Sequence, residues 1–308
     1  MYRRDDFLLM FPENIKYKVK EYLNDGIQEV RIKVNKPVII YLRRGEVILN
    51  YTANIDDLKY ILKRISSYSL YAYEEEIKRG FITIKGGHRV GLAGECVMSE
   101  KTVRTIKNIS SINLRITREI FGCSKKLIPY LIQDNRVLNT IIVSPPKCGK
   151  TTILRDLTRV LSNGDSINKL TGKKVVVIDE RSEIGACYEG IPQMDVGIRT
   201  DILDNCYKRE GILMAVRALA PEVIICDEIG REEEIEEIKN AFNSGVNLIF
   251  SVHGKDFEDL YKRDGIDKLL SKGLIDRVVV LASDGERFGV EKVYSRKSEG
   301  EFRCLNIY

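Results

Sequence analysis

One short segment, VSPPKCGKTT at residues 143–152, has the residue types of a phosphate-binding loop. An apolar run that ends at Val143 precedes it, and Ile153, Leu154 and Leu157 follow with the spacing of one buried helix face. A strand, a tight turn and a helix N-terminus bring backbone N–H groups and the positive end of the helix dipole onto an anion. We therefore predict a nucleotide-binding loop that consists of Ser144, Pro145, Pro146, Lys147, Cys148, Gly149, Lys150, Thr151 and Thr152.

Lys150 and Thr151 are the two side chains of this loop with a direct role in such a site. A lysine at this position reaches the β- and γ-phosphates, and the threonine offers its hydroxyl to Mg²⁺. The pattern G-x-x-x-x-G-K-[ST] is incomplete, because Ser144 stands where the first glycine is expected. Glycine is preferred there for its backbone freedom, so a purely structural turn is the alternative interpretation. The flanking strand and helix favour nucleotide binding.

Residues 223–230, VIICDEIG, place two carboxylates at the end of an apolar strand. In a parallel sheet such a strand is buried on both faces, and ligands collect beyond its carboxyl end. We predict that Asp227 holds Mg²⁺ through water and that Glu228 is the general base for an attacking water. A solvated pair of acids at a strand end is the alternative.

Residues 175–183, VVVIDERSE, repeat this arrangement with three further acids after an apolar strand. We expect these acids near the γ-phosphate, which makes two of them candidate catalytic residues. A salt-bridge cluster around Arg181 is the alternative. The sequence leaves the choice of general base open among Glu228, Glu183 and Glu180.

Residues 248–254, LIFSVHG, end a third apolar strand with Ser251 and His253. A polar side chain there can hydrogen-bond the γ-phosphate and report its loss, so His253 is a further candidate catalytic residue. A purely structural role of a lone histidine is the alternative. A guanine reader of the form Asn-Lys-x-Asp is missing, because the Asn-Lys pairs at Asn35 and Asn168 lack the aspartate. The sequence therefore favours ATP with Mg²⁺ as the ligand.

The predicted elements that carry these residues change character near residue 120. Residues 1–120 are predicted to form an α+β domain, with helices at 12–23, 55–65 and 69–78 and with strands grouped in hairpins. Residues 121–308 alternate between strands and helices, which is typical of a parallel sheet covered by helices. The predicted fold class is therefore α/β, with two domains.

Composition indicates a folded protein without a membrane span or a basic arm. The 308 residues are 44% hydrophobic and 31% charged, and the net charge of +5 is spread along the chain. No apolar run approaches the roughly 20 residues of a membrane span. The 7 cysteines form no CxxC pair and only 2 histidines are present, which argues against a disulfide framework or a structural zinc site. This cysteine usage indicates the reducing cytosol.

Several motifs together make the chain resemble the stage III sporulation protein AA family, which is related to the secretion and pilus-motor ATPases. The motifs are GGHRVGLAGECV, VVVIDERSEI, IRTDILDNC, APEVIICDEIGREEE and the SVHG ending. The phosphate loop, acidic box, Walker B strand and histidine box of those ATPases correspond to residues 144–151, 179–183, 223–228 and 251–254. The resemblance implies a RecA-like P-loop ATPase domain with a parallel sheet, preceded by a smaller α+β N-terminal domain.

The same resemblance implies a cytoplasmic homo-hexamer that acts peripherally at the membrane, on the mother-cell side of the forespore membrane. It would power or assemble the channel between mother cell and forespore, with membrane-embedded channel components as its partners. Some relatives carry an appended nucleic-acid-binding R3H module. We expect no such module here, because no histidine follows His253. We also expect no nucleic acid partner, because the positive charge is scattered along the chain.

A ring of subunits would allow an arginine from a neighbouring subunit to complete each site. The transition state of phosphoryl transfer spreads negative charge over the γ-phosphoryl oxygens, and such an arginine is worth a factor of about 10³–10⁵. Arg89 is the first candidate, because the glycines that flank it permit close approach to another surface. The alternatives are Arg104, Arg115, Arg118, Arg199 and Arg217, and for Arg104 a surface salt bridge is favoured.

Two other classes of function stay open. A nucleotide-gated scaffold with negligible hydrolysis needs the same phosphate loop as a motor. A nucleic-acid-dependent ATPase is suggested only by the mild excess of 50 Lys and Arg over 45 Asp and Glu, and its binding would depend strongly on salt.

Overall fold

The computed structural model describes residues 6–66, 73–99, 102–146, 148–283, 288–298 and 300–306. The chain is an α/β protein with two compact units. Unit 1 comprises Met1–Arg118 and Ala186–Gln193, and unit 2 comprises Glu119–Gly185 and Met194–Tyr308. Lys147 of the predicted phosphate loop and residues 69–72 of the predicted helix 69–78 lie outside the described residues.

Unit 1 contains a six-stranded antiparallel sheet. Its strands are β1 (Glu29–Lys33), β2 (Lys36–Leu42), β3 (Gly45–Ala53), β4 (Phe81–Ile84), β5 (His88–Ser99) and β6 (Thr102–Arg115). They are ordered β3-β2-β1-β6-β5-β4 across the sheet. Strands β1 to β3 pair in chain order, as do β4 to β6, and the pairing of β1 with β6 connects these two halves of the sheet. Strands β3 and β4, although consecutive, lie at its opposite edges.

One face of this sheet packs against the helices of unit 1, which are α1 (Glu13–Lys20), α2 (Ile55–Ile65) and α3 (Glu74–Lys78). The alternation along β1 shows how the sequence selects that face, because Val30 and Ile32 are buried while Arg31 and Lys33 are not. Helix α2 begins where the sequence predicts it, since the Asn54 side chain accepts hydrogen bonds from the first-turn N–H groups and closes a capping box.

Unit 2 is built on an eight-stranded sheet and a small two-stranded one. The eight-stranded sheet has the order β11-β10-β12-β13-β9-β14-β15-β16. The strands of unit 2 are β7 (Ile132–Gln133), β8 (Arg136–Val137), β9 (Thr140–Ser144), β10 (Val175–Asp179), β11 (Thr200–Asp204), β12 (Val223–Cys226), β13 (Asn247–His253), β14 (Arg277–Ser283), β15 (Phe288–Ser298) and β16 (Glu301–Leu305).

The eight-stranded sheet is mixed, whereas the sequence predicted a parallel one. The strands from β11 to β14 pair in parallel, but β15 and β16 add to the edge as an antiparallel hairpin. Every residue of β9, β10 and β12 is buried, because strands in the middle of such a sheet are covered on both faces.

The helices of unit 2 are α4 (Ile128–Leu131), α5 (Lys150–Asn163), α6 (Lys208–Met214), α7 (Glu232–Asn243) and α8 (Ile266–Ser271). A π-helical turn, Ala215–Leu219, continues α6. Within the described ranges, no helix is long and apolar enough to cross a membrane.

The carboxyl ends of the parallel strands meet at one edge of the sheet. Strands β9, β10, β12 and β13 end there at Ser144, Asp179, Cys226 and His253. The segments with the candidate site residues of unit 2 therefore begin at neighbouring positions, and α5 starts from the same edge.

Candidate nucleotide-binding site

The loop between β9 and α5 ends in a residue whose backbone conformation favours glycine. Gly149 precedes α5 with a φ of 79°, a left-handed conformation that glycine adopts without strain. Ser144, by contrast, is the buried last residue of β9 and does not have a positive φ. Because position 144 has an ordinary strand backbone, it does not require glycine, and a serine can stand there.

Lys150 turns back over the loop. Its Nζ donates to the carbonyl oxygens of Ser144 at 3.3 Å and Pro145 at 3.4 Å, and it lies 3.0 Å from Nδ1 of His253. Burial lowers the pKa of the Lys150 ammonium, while the negative charges of Asp227 and Glu228 act in the opposite direction. The ammonium is thus held beside the loop by groups that a phosphate can replace.

His253 connects Lys150 to Glu228. A lysine ammonium can only donate hydrogen bonds, so Nδ1 of His253 is the acceptor and Nε2 carries the hydrogen. Nε2 lies 2.9 Å from Oε1 of Glu228 and donates to it. The other carboxylate oxygen of Glu228 lies 3.2 Å from Nη1 of Arg181. Two cationic or polar partners therefore hold the carboxylate of the candidate base at the cleft.

Thr151 and Asp227, the two predicted Mg²⁺ ligands, are in direct contact. The hydroxyl of Thr151 donates to Oδ2 of Asp227 at 2.9 Å. Both are oxygen donors of the kind that Mg²⁺ prefers, and this ion usually takes one or two carboxylates and completes its shell with water and phosphate oxygens. In the described part of the chain, no group of three or more His, Cys, Asp or Glu side chains is arranged to hold a metal ion. The pair fits a magnesium ion that arrives with a nucleotide.

The acids after β10 have separate roles. Asp179 is buried and accepts hydrogen bonds from the backbone N–H groups of Glu183, Ile184 and Gly185, which shapes the turn. Burial raises the pKa of Asp179 to about 6, although these hydrogen bonds favour its charged form.

Glu180 pairs with the ammonium of buried Lys208, and Arg181 pairs with Glu228. Lys208 also lies 3.9 Å from Glu234, whose carboxylate accepts from the backbone N–H groups of Gly230 and Arg231. Glu180 is thus tied into an ion-pair cluster, and Glu183 is the acid of this segment that lines the cleft.

The cleft itself has a volume of about 510 Å³, which lies within the usual range of small-molecule sites. It brings together most of the candidate residues of unit 2. Its lining consists of Pro146, Gly149, Lys150, Thr151, Thr152, Glu183, Glu228 and His253.

Cys148 and Arg89 are among the candidate residues that do not line this cleft. Cys148 is buried in the hydrophobic core of unit 2, with Sγ 3.7 Å from the carbonyl oxygen of Pro146. Arg89 belongs to unit 1, on β5, where its guanidinium lies 4.2 Å above the ring of Phe81. From the sequence we predicted no role for Lys208. For Arg181 we considered only a salt bridge with the acids of its own segment.

Comparison with protein families gives a match over nearly the whole chain. A family model described as "Sporulation stage III, protein AA" matches residues 6–300. Stage III sporulation protein AA of Bacillus subtilis (strain 168) is 42% identical over 290 residues, which cover 93% of this chain and 94% of that protein. The uncharacterized protein ycf45 of Porphyra purpurea is 26% identical over 311 residues, which cover 97% of this chain and 49% of that protein.

Solved structures of ATPases share the fold. The X-ray structure of the Legionella pneumophila ATPase DotB has a TM-score of 0.64 at 14% identity and covers 94% of this chain and 82% of its own. The crystal structure of the pilus retraction motor PilT with bound ADP has a TM-score of 0.61 at 13% identity. The match covers 94% of this chain and 81% of that chain. At such low identity the similarity shows an α/β fold like that of these ATPases and no more.

Proposed function

This chain belongs to the sporulation stage III protein AA family, and from that premise we propose that it is a secretion-type ATPase. The observation that carries the proposal is one cleft in which Lys150, Thr151 and Glu228 line the wall and Asp227 contacts Thr151. These are the groups that ATP hydrolysis needs, namely a cation for the phosphates, a pair of magnesium ligands and a carboxylate to activate water.

In this proposal Lys150 exchanges the carbonyl oxygens of Ser144 and Pro145 for the β- and γ-phosphate oxygens. Thr151 directly and Asp227 through water would hold Mg²⁺, which would neutralise charge on the phosphates. Backbone N–H groups at the start of α5 add the helix-terminal contribution to anion binding.

Glu228 is the proposed general base, because its carboxylate lines the cleft and can take a proton from a water molecule there. His253 donates to the same carboxylate and accepts from Lys150, so nucleotide binding at Lys150 changes the surroundings of the base. Glu183 also lines the cleft and is the second candidate for this role. Glu180 is the least suited of the three, because it is paired with buried Lys208 and does not line the cleft.

The larger assignments come from the family and from the ATPase-like fold. We propose a RecA-like ATPase domain over 121–308 and a smaller N-terminal domain over 1–120. The working form is a cytoplasmic homo-hexamer, peripheral at the membrane on the mother-cell side, which powers or assembles the channel to the forespore with membrane-embedded components. An arginine from a neighbouring subunit, first of all Arg89, completes each site.

Isothermal calorimetry with ATP and Mg²⁺ tests the proposed binding site. The Lys150→Ala variant removes the cation aimed at the phosphates, and we expect it to lose detectable ATP binding while it keeps the fold. The control is Lys272→Ala, which removes an exposed lysine that does not line the cleft and leaves binding unchanged. ATP affinity in Lys150→Ala equal to that of the wild type would show that the site is elsewhere.

A further inference from the structure

Ser251 makes three hydrogen bonds to the segment that carries the two strand-end acids. It lies on β13 and is fully buried. Its hydroxyl donates to Oδ1 of Asp227 and accepts from the backbone N–H of Glu228 at 3.0 Å. Its carbonyl oxygen accepts from the backbone N–H of Ile229 at 2.9 Å. A hydroxyl has one hydrogen and two lone pairs, so it can fill both of its roles at once.

The segment needs such support, because Glu228 has a φ of 51°. A non-glycine residue in this left-handed conformation is strained and persists only where its surroundings enforce it. Strand β12 ends at Cys226, and the two hydrogen bonds from residues 228 and 229 to Ser251 anchor the chain directly beyond it. They fix the backbone that directs the Glu228 carboxylate to His253 and the cleft.

The bond to Asp227 has a separate consequence. Ser251 engages Oδ1, and Thr151 donates to Oδ2. The hydroxyl of Ser251 therefore fixes the orientation of the Asp227 carboxylate, so that its other oxygen is directed to the threonine that shares the proposed magnesium site. In this arrangement the Ser251 side chain contacts the acids and is not among the residues that line the cleft.

We propose that Ser251 is the positioning residue for both acids of the site, acting through Asp227 on magnesium binding and through Glu228 on water activation. This inference rests on the proposed function and deepens it. For Ser251 it takes the place of a direct contact with the γ-phosphate, whereas His253 lines the cleft and stays a candidate for that contact.

The test compares Ser251→Ala with a matched control in the same sheet. Thr140→Val also removes a buried hydroxyl, which donates to the carbonyl oxygen of Leu138 at the opposite end of β9. Loss of a supporting partner around a metal site costs roughly 10–100-fold in metal affinity or activity. We expect Ser251→Ala to lose kcat by about that factor and to need more Mg²⁺, with ATP affinity in EDTA unchanged. Thr140→Val should keep the kcat and Mg²⁺ dependence of the wild type.

Two further variants separate positioning from packing. Ser251→Thr keeps a hydroxyl and should restore most of kcat, while Ser251→Cys, with its weak donor, should not. In a Glu228→Gln background at saturating Mg²⁺, Ser251→Ala should cause little further loss of turnover, because the contribution through Glu228 is already gone. The higher Mg²⁺ requirement should remain, because the hydrogen bond to Asp227 is lost in either background. If Ser251→Ala fails to fold, this comparison of the Thr and Cys variants carries the test.

Several results would overturn the inference. They are a wild-type kcat and Mg²⁺ dependence in Ser251→Ala, a loss of ATP affinity in EDTA, and an equal loss of turnover in Thr140→Val. Wild-type protein without ATP turnover would contradict the proposed function instead, and the Mg²⁺ dependence of nucleotide affinity would then still test Ser251 through Asp227.

Discussion

At the level of single residues, Glu180 shows how a partner decides between two roles. Its carboxylate pairs with Lys208, whose side chain is only 7% exposed. Glu180→Gln would leave this buried ammonium with Glu234 at 3.9 Å as its remaining acid. We expect the free energy of unfolding to fall by about 1–3 kcal/mol, as for other hydrogen bonds to charged groups. Chemical denaturation measures this loss, and we expect ATP turnover to fall far less than in Glu228→Gln.

The control for this prediction is Glu236→Gln. Glu236 is 65% exposed and lies 3.1 Å from Lys239, and exposed pairs of this kind contribute less than about 1 kcal/mol. The prediction would be contradicted if Glu180→Gln kept the stability of the wild type and lost as much turnover as Glu228→Gln. Glu180 would then be a candidate general base.

The sequence allowed a good prediction of which residues approach each other but not of their partners. Apolar strands that end in Asp227, Glu228 and His253 had to converge beside the loop, because parallel strands share one carboxyl edge. The ion pair of Glu180 with Lys208 depends on how α6 packs against β10, which no local pattern encodes. The sequence predicts in part where Ser251 lies, since residues 251 and 253 of a strand point to the same face as each other.

At the level of elements, β5 begins with a histidine that has a clear effect on stability. His88 is buried, and its Nδ1 accepts from the backbone N–H of Thr117 at 3.2 Å, so the ring is neutral. Burial lowers its pKa to about 4, whereas a histidine in the unfolded chain has a pKa of about 6.5. Between these values the unfolded chain binds the extra proton, so acid destabilises the folded state.

We predict that the contribution of His88 to the free energy of unfolding falls by about 2 kcal/mol between pH 7 and pH 5. The slope is about 1.36 kcal/mol per pH unit at pH values below about 6.5. His88→Gln has no such group, so the difference in free energy of unfolding between wild type and variant should shrink by that amount. His253 is present in both proteins and cancels. Urea denaturation at the two pH values measures the difference, and a gap that does not change with pH would contradict the prediction.

Elements at the edge of the sheet were harder to predict than those at its centre. Strand β12 consists of the four successive apolar residues that predict it, because a strand covered on both faces has to be apolar. Strand β11 lies at one edge and reads TDILD, with no buried residue. The hairpin of β15 and β16 closes the other edge with largely exposed side chains on β16, so no strong alternation marks it.

At the level of the whole molecule, the proposed ring makes a prediction about mixed assemblies. Lys150→Ala lacks the phosphate-binding cation, and Arg89→Ala lacks the arginine proposed to act in a neighbouring site. Each variant alone should be inactive. Their mixture should regain part of the ATPase activity, because some interfaces then combine an intact loop with an intact arginine.

The control for mixing is Arg104→Ala, which removes an exposed arginine and should stay active alone. Full activity of Arg89→Ala by itself would contradict a role of Arg89 in a neighbouring site. Equal turnover by dilute monomeric wild-type protein would contradict any arginine supplied by a neighbour.

The steady-state ATPase rate of the purified wild-type assembly tests the central claim most directly, with Lys150→Ala and Glu228→Gln measured beside it. We predict Mg²⁺-dependent turnover in the wild type and none above background in Lys150→Ala. Glu228→Gln should bind ATP and hydrolyse it about 10²–10⁴-fold more slowly, as expected for loss of a general base. Wild-type protein that binds ATP with Mg²⁺ but turns over no faster than Lys150→Ala would contradict the ATPase and leave a nucleotide-gated scaffold.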